Sequence, residues 1–180
     1  MVATKNNKRT QRMNWYWIDR FTVFESGKRA CALKTITRAE GHLRDHFPFH
    51  PIAPASLIVE GLAQTAGLMV NEATRFEKKV VLGKIPKLTF FETEITPGDV
   101  LEYEAVADYI NEEGSMATVS VRRGGEKIAE GVLVFAHLGN EFNNKRQFAE
   151  GDLEDLVRAY GMYDVGVDAD GRPLRDPSLA

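Results

Sequence analysis

Residues 45–71, which read DHFPFHPIAPASLIVEGLAQTAGLMVN, decide the fold that this sequence predicts. Three prolines keep residues 45–54 extended, because each proline fixes its own φ and biases the preceding residue away from the helical region. A helix can therefore begin only at Pro54, the last of the three, since proline suits the first helical position. Residues 55–70 contain one charged side chain, that of Glu60, and are otherwise apolar, small or uncharged. We expect this helix to be buried nearly all round.

The polar side chains of the predicted helix share one edge. With about 100° per residue, Glu60 lies about 40° and Gln64 about 80° around the helix axis from Ser56. Gly67 and Asn71 fall within the same arc, whereas the large aliphatic side chains occupy the rest of the surface. The stretch is too short and too polar to be a membrane span, which requires roughly 18 to 20 apolar residues. The sequence therefore predicts a core helix with a narrow polar stripe.

The composition fits one globular domain. The chain has 180 residues, 43% of them hydrophobic, and a formal net charge of -3 at pH 7, which gives no electrostatic reason to expect nucleic acid as a partner. Residues 1–13 are polar and basic, so we expect a flexible tail there. Cys31 is the one cysteine, so no disulfide can form within this sequence, and no apolar signal segment opens it. We therefore expect a cytoplasmic protein.

Strand-like segments flank the helix on both sides. Residues 17–24 and 29–36 are separated by a turn that contains glycine, and they predict a hairpin. Short turns join the remaining segments and predict an antiparallel meander. These segments are residues 79–93, 100–110, 115–122 and 127–138. One buried helix and about six strands indicate an α+β fold in which a curved antiparallel sheet wraps around the helix.

The domain boundaries follow from where these patterns stop. We place the folded domain at residues 14–140 and a C-terminal extension at residues 141–180. Within the extension, residues 152–160 have the pattern of a short amphipathic helix. The residues after 164 are rich in Asp, Gly and Pro, which predicts a loose tail.

Two groups that can move protons stand near the start of the helix. His46 lies in the extended segment, and a neutral imidazole is a competent base near pH 7. Glu60 lies on the helix, where a carboxyl group enclosed by apolar side chains favours its protonated, acidic form. The unpaired N–H groups around Ala55 and Ser56 offer a third component, a site for developing negative charge. Base, acid and oxyanion donors together suit proton abstraction beside a carbonyl group.

The same residues carry a family resemblance. The segment from His46-Phe47-Pro48 through Glu60 to Ala63-Gln64 follows the pattern HFPxxPxxPxxLxxExxAQ. It resembles the signature of the β-hydroxyacyl-[acyl carrier protein] dehydratases. WIDRFTVFESGKRACALKTIT, at residues 17–37, is similar to the opening hairpin of that family, and ITPGDVLEYE, at residues 95–104, resembles its late turn and strand.

The resemblance implies a hotdog fold and a dimer with active sites at its interface, each with histidine and carboxylate from different subunits. It implies that His46 removes the proton next to the thioester carbonyl and that Glu60 assists departure of the β-hydroxyl group as water. The backbone N–H of Ala55 would hold the thioester oxygen. Further residues that we expect to bind substrate or to support the site are Pro54, Ser56, Gln64 and Phe49.

Four positions depart from the family pattern. Asp45, Phe49 and Ala55 stand where the family has glycine, and Ala53 replaces methionine. These departures bear on substrate size more than on the reaction.

The implied function is dehydration of β-hydroxyacyl chains on acyl carrier protein to trans-2-enoyl thioesters in fatty acid biosynthesis. No cofactor and no membrane contact are predicted. Acyl carrier protein is the predicted partner, and beside a homodimer a trimer of dimers stays open.

Other functions remain open at this point. A thioesterase on the same fold would use water as its nucleophile, although hydrolysis needs no base over the α-carbon. A non-catalytic module that binds acyl thioesters is the other alternative. His42, His46 and His50 recur every fourth residue, but the intervening prolines forbid the helix that would bring them together, so no metal site is predicted.

Overall fold

The computed structural model describes residues 16–45, 49–138 and 151–179, with residues 44 and 45 described by their backbone alone. Within these ranges the helices are α1 (Gly41–Asp45), α2 (Ala55–Ala73), α3 (Asp152–Ala159) and α4 (Met162–Val165), with a 3-10 helix at Pro177–Leu179. The strands are β1 (Arg20–Glu25), β2 (Arg29–Thr35), β3 (Lys79–Phe90), β4 (Val100–Ile110), β5 (Gly114–Arg123), β6 (Glu126–Leu138) and β7 (Gly166–Val167). The predicted tail at residues 1–13 lies outside the described residues.

Helix α2 begins directly after the last of the three prolines. Pro54 has φ -58° and ψ 133°, an extended conformation, and its carbonyl oxygen accepts the N–H of Leu57 at 2.9 Å. The helix ends at Ala73, shortly before Arg75 and Phe76, which take the left-handed backbone conformation with φ of 54° and 57°. The helix thus begins at Ala55, one residue later than predicted, because the extended backbone of Pro54 makes this residue the N-cap and not the first helical residue.

The seven strands form one sheet in the order β3-β6-β5-β4-β2-β1-β7. The first hairpin joins β1 and β2, and the predicted meander is confirmed for β4, β5 and β6. However, β3 pairs with β6 and not with β4, its neighbour in sequence. The connection at residues 91–99 is longer than a hairpin turn, so it can cross to the opposite edge of the meander.

Helix α2 packs against the sheet, and the two together form the core. Along β4, Leu101, Tyr103 and Ala105 are at most 2% exposed and alternate with more exposed neighbours. On α2, Ile58 and Leu62 are at most 1% exposed. A period of two on the strand and of three to four on the helix is the expected pattern for one helix on one sheet. The architecture is α+β, as predicted.

The C-terminal extension folds back onto β1. Strand β7 pairs in parallel with β1, and the carbonyl oxygen of Tyr160 accepts the N–H of Phe21 at 2.9 Å. Met162 is fully buried, and the Arg158 guanidinium donates to both oxygens of Asp176 at 2.6 and 3.0 Å. The segment has more regular structure than its composition predicts, because its few apolar side chains reach the core and β1 supplies an edge for pairing.

A short helix, α1, occupies the connection between β2 and α2. Across the described residues, no helix combines the length and the apolar character that crossing a membrane requires.

Candidate active site

Glu60 and Gln64 meet on the polar edge of α2, as the helical wheel predicts. They are about one turn apart, and Nε2 of Gln64 donates to Oε1 of Glu60 at 3.4 Å. Both residues are half-buried, whereas Gly61 and Leu62 beside them are buried. The carboxyl group therefore lies at the boundary of the core, with one oxygen bound by the amide.

Gln64 also contacts two distant parts of the chain. Its Oε1 accepts the backbone N–H of Trp17 at 3.1 Å and the hydroxyl group of Tyr160 at 3.2 Å. Trp17 precedes β1, and Tyr160 follows α3. Sequence reasoning missed Tyr160, because it lies 96 positions from Gln64 and no local pattern connects the two.

The segment before α2 is anchored to the turn that precedes β4. The N–H of Ala53 donates to the carbonyl oxygen of Ile95 at 2.7 Å, and both residues are buried. Nearer the surface, Nε2 of His50 lies 3.2 Å from Oε1 of Glu94. His46 lies outside the described residues, so its role stays a prediction.

The start of α2 is open to solvent in the single chain. Ala55 and Ser56 are exposed, and in the described part of the chain no side chain caps this end and no acidic residue occupies the first turn. Their N–H groups precede the first intrahelical hydrogen bond, which Leu57 donates to Pro54. Unpaired N–H groups at a helix start favour negative charge in front of the helix.

The other predicted substrate-binding residues are placed differently. Pro54 is half-buried at the helix start, whereas Phe49 is fully exposed, so the described structure brings its ring into no pocket. Ala53 is 3% exposed and packs in the core. The structure thus brings Glu60 and Gln64 into contact and leaves Ala55 and Ser56 at the helix start about one turn before Glu60.

The fold and this arrangement define the class of protein. The FabA-like domain family matches residues 10–132, which include the whole motif from His46 to Gln64. The chain belongs to this family.

Individual relatives carry a more particular name. The chain is 38% identical over 112 residues to the 3-hydroxyacyl-[acyl-carrier-protein] dehydratase FabZ of Caldanaerobacter subterraneus subsp. tengcongensis, a match that covers 62% of this chain and 79% of that protein. It is 35% identical over 141 residues to the FabZ of Geotalea uraniireducens, covering 77% of this chain and 90% of that protein. The predicted resemblance to the β-hydroxyacyl-[acyl carrier protein] dehydratases is confirmed.

Solved structures agree on the fold. The dehydratase heterocomplex ApeI:P from Xenorhabdus doucetiae superposes with a TM-score of 0.59 at 16% identity, covering 73% of this chain and 91% of that chain. The E. coli PaaI protein superposes with a TM-score of 0.50 at 13% identity, covering 63% and 75% of the two chains. At these identities the likeness concerns the fold alone. With the sheet and the central helix described above, it confirms the predicted hotdog fold.

Proposed function

We propose that this protein dehydrates β-hydroxyacyl chains on acyl carrier protein to trans-2-enoyl thioesters in fatty acid biosynthesis. The observation that carries the proposal is the position of Glu60. It lies within the matched family region, on the edge of a core helix, and Gln64 binds one of its oxygens at 3.4 Å. The curated relatives, which are dehydratases by name, support the same reaction.

We assign the two proton transfers to His46 and Glu60. His46 takes the proton from the carbon next to the thioester carbonyl, and the electron pair of that C–H bond forms the new double bond to the β-carbon. The bond between the β-carbon and the hydroxyl oxygen breaks as Glu60 gives this oxygen a proton, so that it leaves as water. The N–H of Ala55, with Ser56 beside it at the open end of α2, stabilises the negative charge that develops on the thioester oxygen.

We further propose a homodimer as the active form. Strand β3 is an edge of the sheet, paired with β6 alone among the described strands, and its Leu82 and Ile85 are 40% and 38% exposed. An open edge that carries apolar side chains is stabilised when a second copy pairs with it. A trimer of dimers remains an alternative.

We place the reaction in the cytoplasm, since the single Cys31 is compatible with a reducing compartment.

The test is hydration of a crotonyl thioester, the reverse reaction, followed by loss of the enoyl absorbance. His46→Ala and Glu60→Gln should each lower turnover by at least about a hundredfold, the usual scale for a lost general base or acid. Circular dichroism should show both variants folded. Near-normal turnover in either purified variant would remove that residue from the mechanism.

Matched controls use the same residue types elsewhere. His50→Ala removes an exposed imidazole that pairs with Glu94, and Glu72→Gln removes a carboxyl group farther along α2. Both should keep wild-type turnover. Release of thiol from the thioester would instead indicate a thioesterase, and binding without reaction would indicate an acyl-binding module.

A further inference from the structure

Tyr160, in the C-terminal extension, reaches the candidate site with its hydroxyl group. The residue is 2% exposed, and its ring packs edge-on against Phe21 and Tyr16, with ring centroids 6.2 and 5.8 Å away. Its carbonyl oxygen accepts the N–H of Phe21 at 2.9 Å, and its own N–H donates to Leu156 at 3.0 Å. Because both backbone and ring are held, the hydroxyl group has a defined position.

The hydroxyl group of Tyr160 and the backbone of Trp17 decide which way the Gln64 amide faces. A backbone N–H can only donate, so the Gln64 atom 3.1 Å from the Trp17 nitrogen is Oε1. Tyr160 donates to the same oxygen at 3.2 Å. Burial raises the pKa of Tyr160 well above its ordinary value, so the donor keeps its proton under assay conditions. With Oε1 bound by two donors, Nε2 faces Glu60.

A fixed amide orients the carboxyl group of Glu60. Nε2 of Gln64 donates to Oε1 of Glu60 at 3.4 Å, and an oxygen that accepts this bond serves as the carbonyl oxygen of the acid form. This arrangement favours Oε2 of Glu60 as the atom that carries the transferred proton. An acid whose proton sits on a defined oxygen can be aimed at the leaving hydroxyl group of the substrate.

We propose that Tyr160 is a positioning residue of the dehydration and that it acts through Gln64 on the acid Glu60. The proposal rests on the function proposed above for Glu60. The family match ends at residue 132, so the C-terminal extension supplies a part of the site from beyond the matched domain. The ion pair of Arg158 with Asp176 and the pairing of β7 with β1 hold the extension, and with it Tyr160, against the fold.

Tyr160→Phe in the full chain tests the proposal, because it removes the hydroxyl group and keeps the ring. We expect kcat to fall roughly three- to tenfold, the scale of one lost neutral hydrogen bond. KM should stay within about twofold, since substrate binding is not the step affected. The matched control is Tyr163→Phe, at a partly buried tyrosine of the same extension, which should leave kcat unchanged.

A second variant tests whether Tyr160 acts through Gln64. Gln64→Leu removes the amide that links Tyr160 to Glu60, so in that background Tyr160→Phe should lower kcat no further. An equal fall in both backgrounds, or a wild-type kcat for Tyr160→Phe alone, would overturn the positioning role. A joint shift of kcat, KM and Tm would overturn it too, because that pattern marks a structural role.

Glu60→Gln separates this inference from the proposed function. If Glu60→Gln had wild-type turnover, Glu60 would not be the acid, and a positioning role for Tyr160 would then have no basis. An inactive Glu60→Gln beside a fully active Tyr160→Phe would remove the positioning role alone.

Discussion

Glu72 is an acid whose charge opposes folding. It lies near the end of α2, and its Oε2 is buried with no hydrogen-bond partner among the described residues. Burial raises the pKa of Glu72, and a hydrogen bond with the Ser26 side chain offsets part of this rise. The folded chain therefore binds this proton more tightly than the unfolded chain does, so ionised Glu72 lowers the free energy of unfolding at neutral pH.

We predict that Glu72→Gln raises Tm at pH 7 by about 2 °C, because the amide has the same shape without the charge. The gain should shrink as the pH falls and vanish below about 4.3, the pKa of an unfolded glutamate, where Glu72 is protonated in both states. Thermal melts at pH 7 and at acid pH measure it. Glu77→Gln, at an exposed glutamate just after the helix, should change Tm little, and a fall in Tm of Glu72→Gln at pH 7 would contradict the argument.

At the scale of residues, the sequence predicted the contact between Glu60 and Gln64. It did not predict Tyr160, whose hydroxyl group binds Gln64. Glu60 and Gln64 are neighbours on a helix, so their contact follows from the helical period alone. Tyr160 reaches Gln64 only because the chain returns to the same place after the whole sheet has formed. No periodicity or spacing encodes such a contact, since it depends on how the C-terminal extension packs on β1.

Gly61 on α2 has only a hydrogen atom as its side chain, and this leaves room for the ring of Tyr103 on β4. A Cβ atom at Gly61 would lie 2.6 Å from the Oη and 2.9 Å from the Cε2 of Tyr103, closer than non-bonded atoms approach. Tyr103 on β4 is 2% exposed, so its ring cannot move aside freely. The glycine is therefore required for close packing of the two elements.

We predict that Gly61→Ala lowers the free energy of unfolding by about 1 to 3 kcal/mol, the usual cost of overpacking a core. Gly67, six residues farther along α2, is the matched control, because a Cβ there would meet the Phe135 ring at 3.4 Å, an ordinary contact. Gly67→Ala should be neutral or add up to about 1 kcal/mol, since alanine favours helix over glycine. Urea unfolding measures both, and equal effects of the two substitutions would refute the packing argument.

At the scale of elements, long periodic segments were predictable and short ones were not. Helix α2 and the strands β1 to β6 are long enough for the periodic spacing of their apolar residues to be recognised in the sequence. By contrast, α1, α4 and β7 have five, four and two residues, too few for a period to appear. Contacts elsewhere in the fold hold them, as β1 does for β7. The pairing of β3 with β6 was missed because sequence order favours neighbouring strands.

In the homodimer proposed above, the candidate site is shared between two chains. In the single chain, Ser56 and Ala55 are exposed at the start of α2 and β3 is an open edge among the described strands. In the proposed dimer, a second copy related by a twofold axis pairs with the open edge of the sheet. If His46 and Glu60 of one site then come from different subunits, catalysis depends on pairing, and mixed dimers can distinguish this from a site within one chain.

We predict that inactive His46→Ala chains and inactive Glu60→Gln chains recover activity when they are unfolded and refolded together. Random assortment makes about half of the dimers mixed, and one of the two sites in each mixed dimer holds both native groups, so activity should reach about a quarter of wild type. Differently tagged chains verify that mixed dimers form, and separately refolded samples mixed afterwards serve as the control. Verified mixed dimers that stay inactive would mean that both groups act from one chain, because a site within one chain always keeps one of the two substitutions.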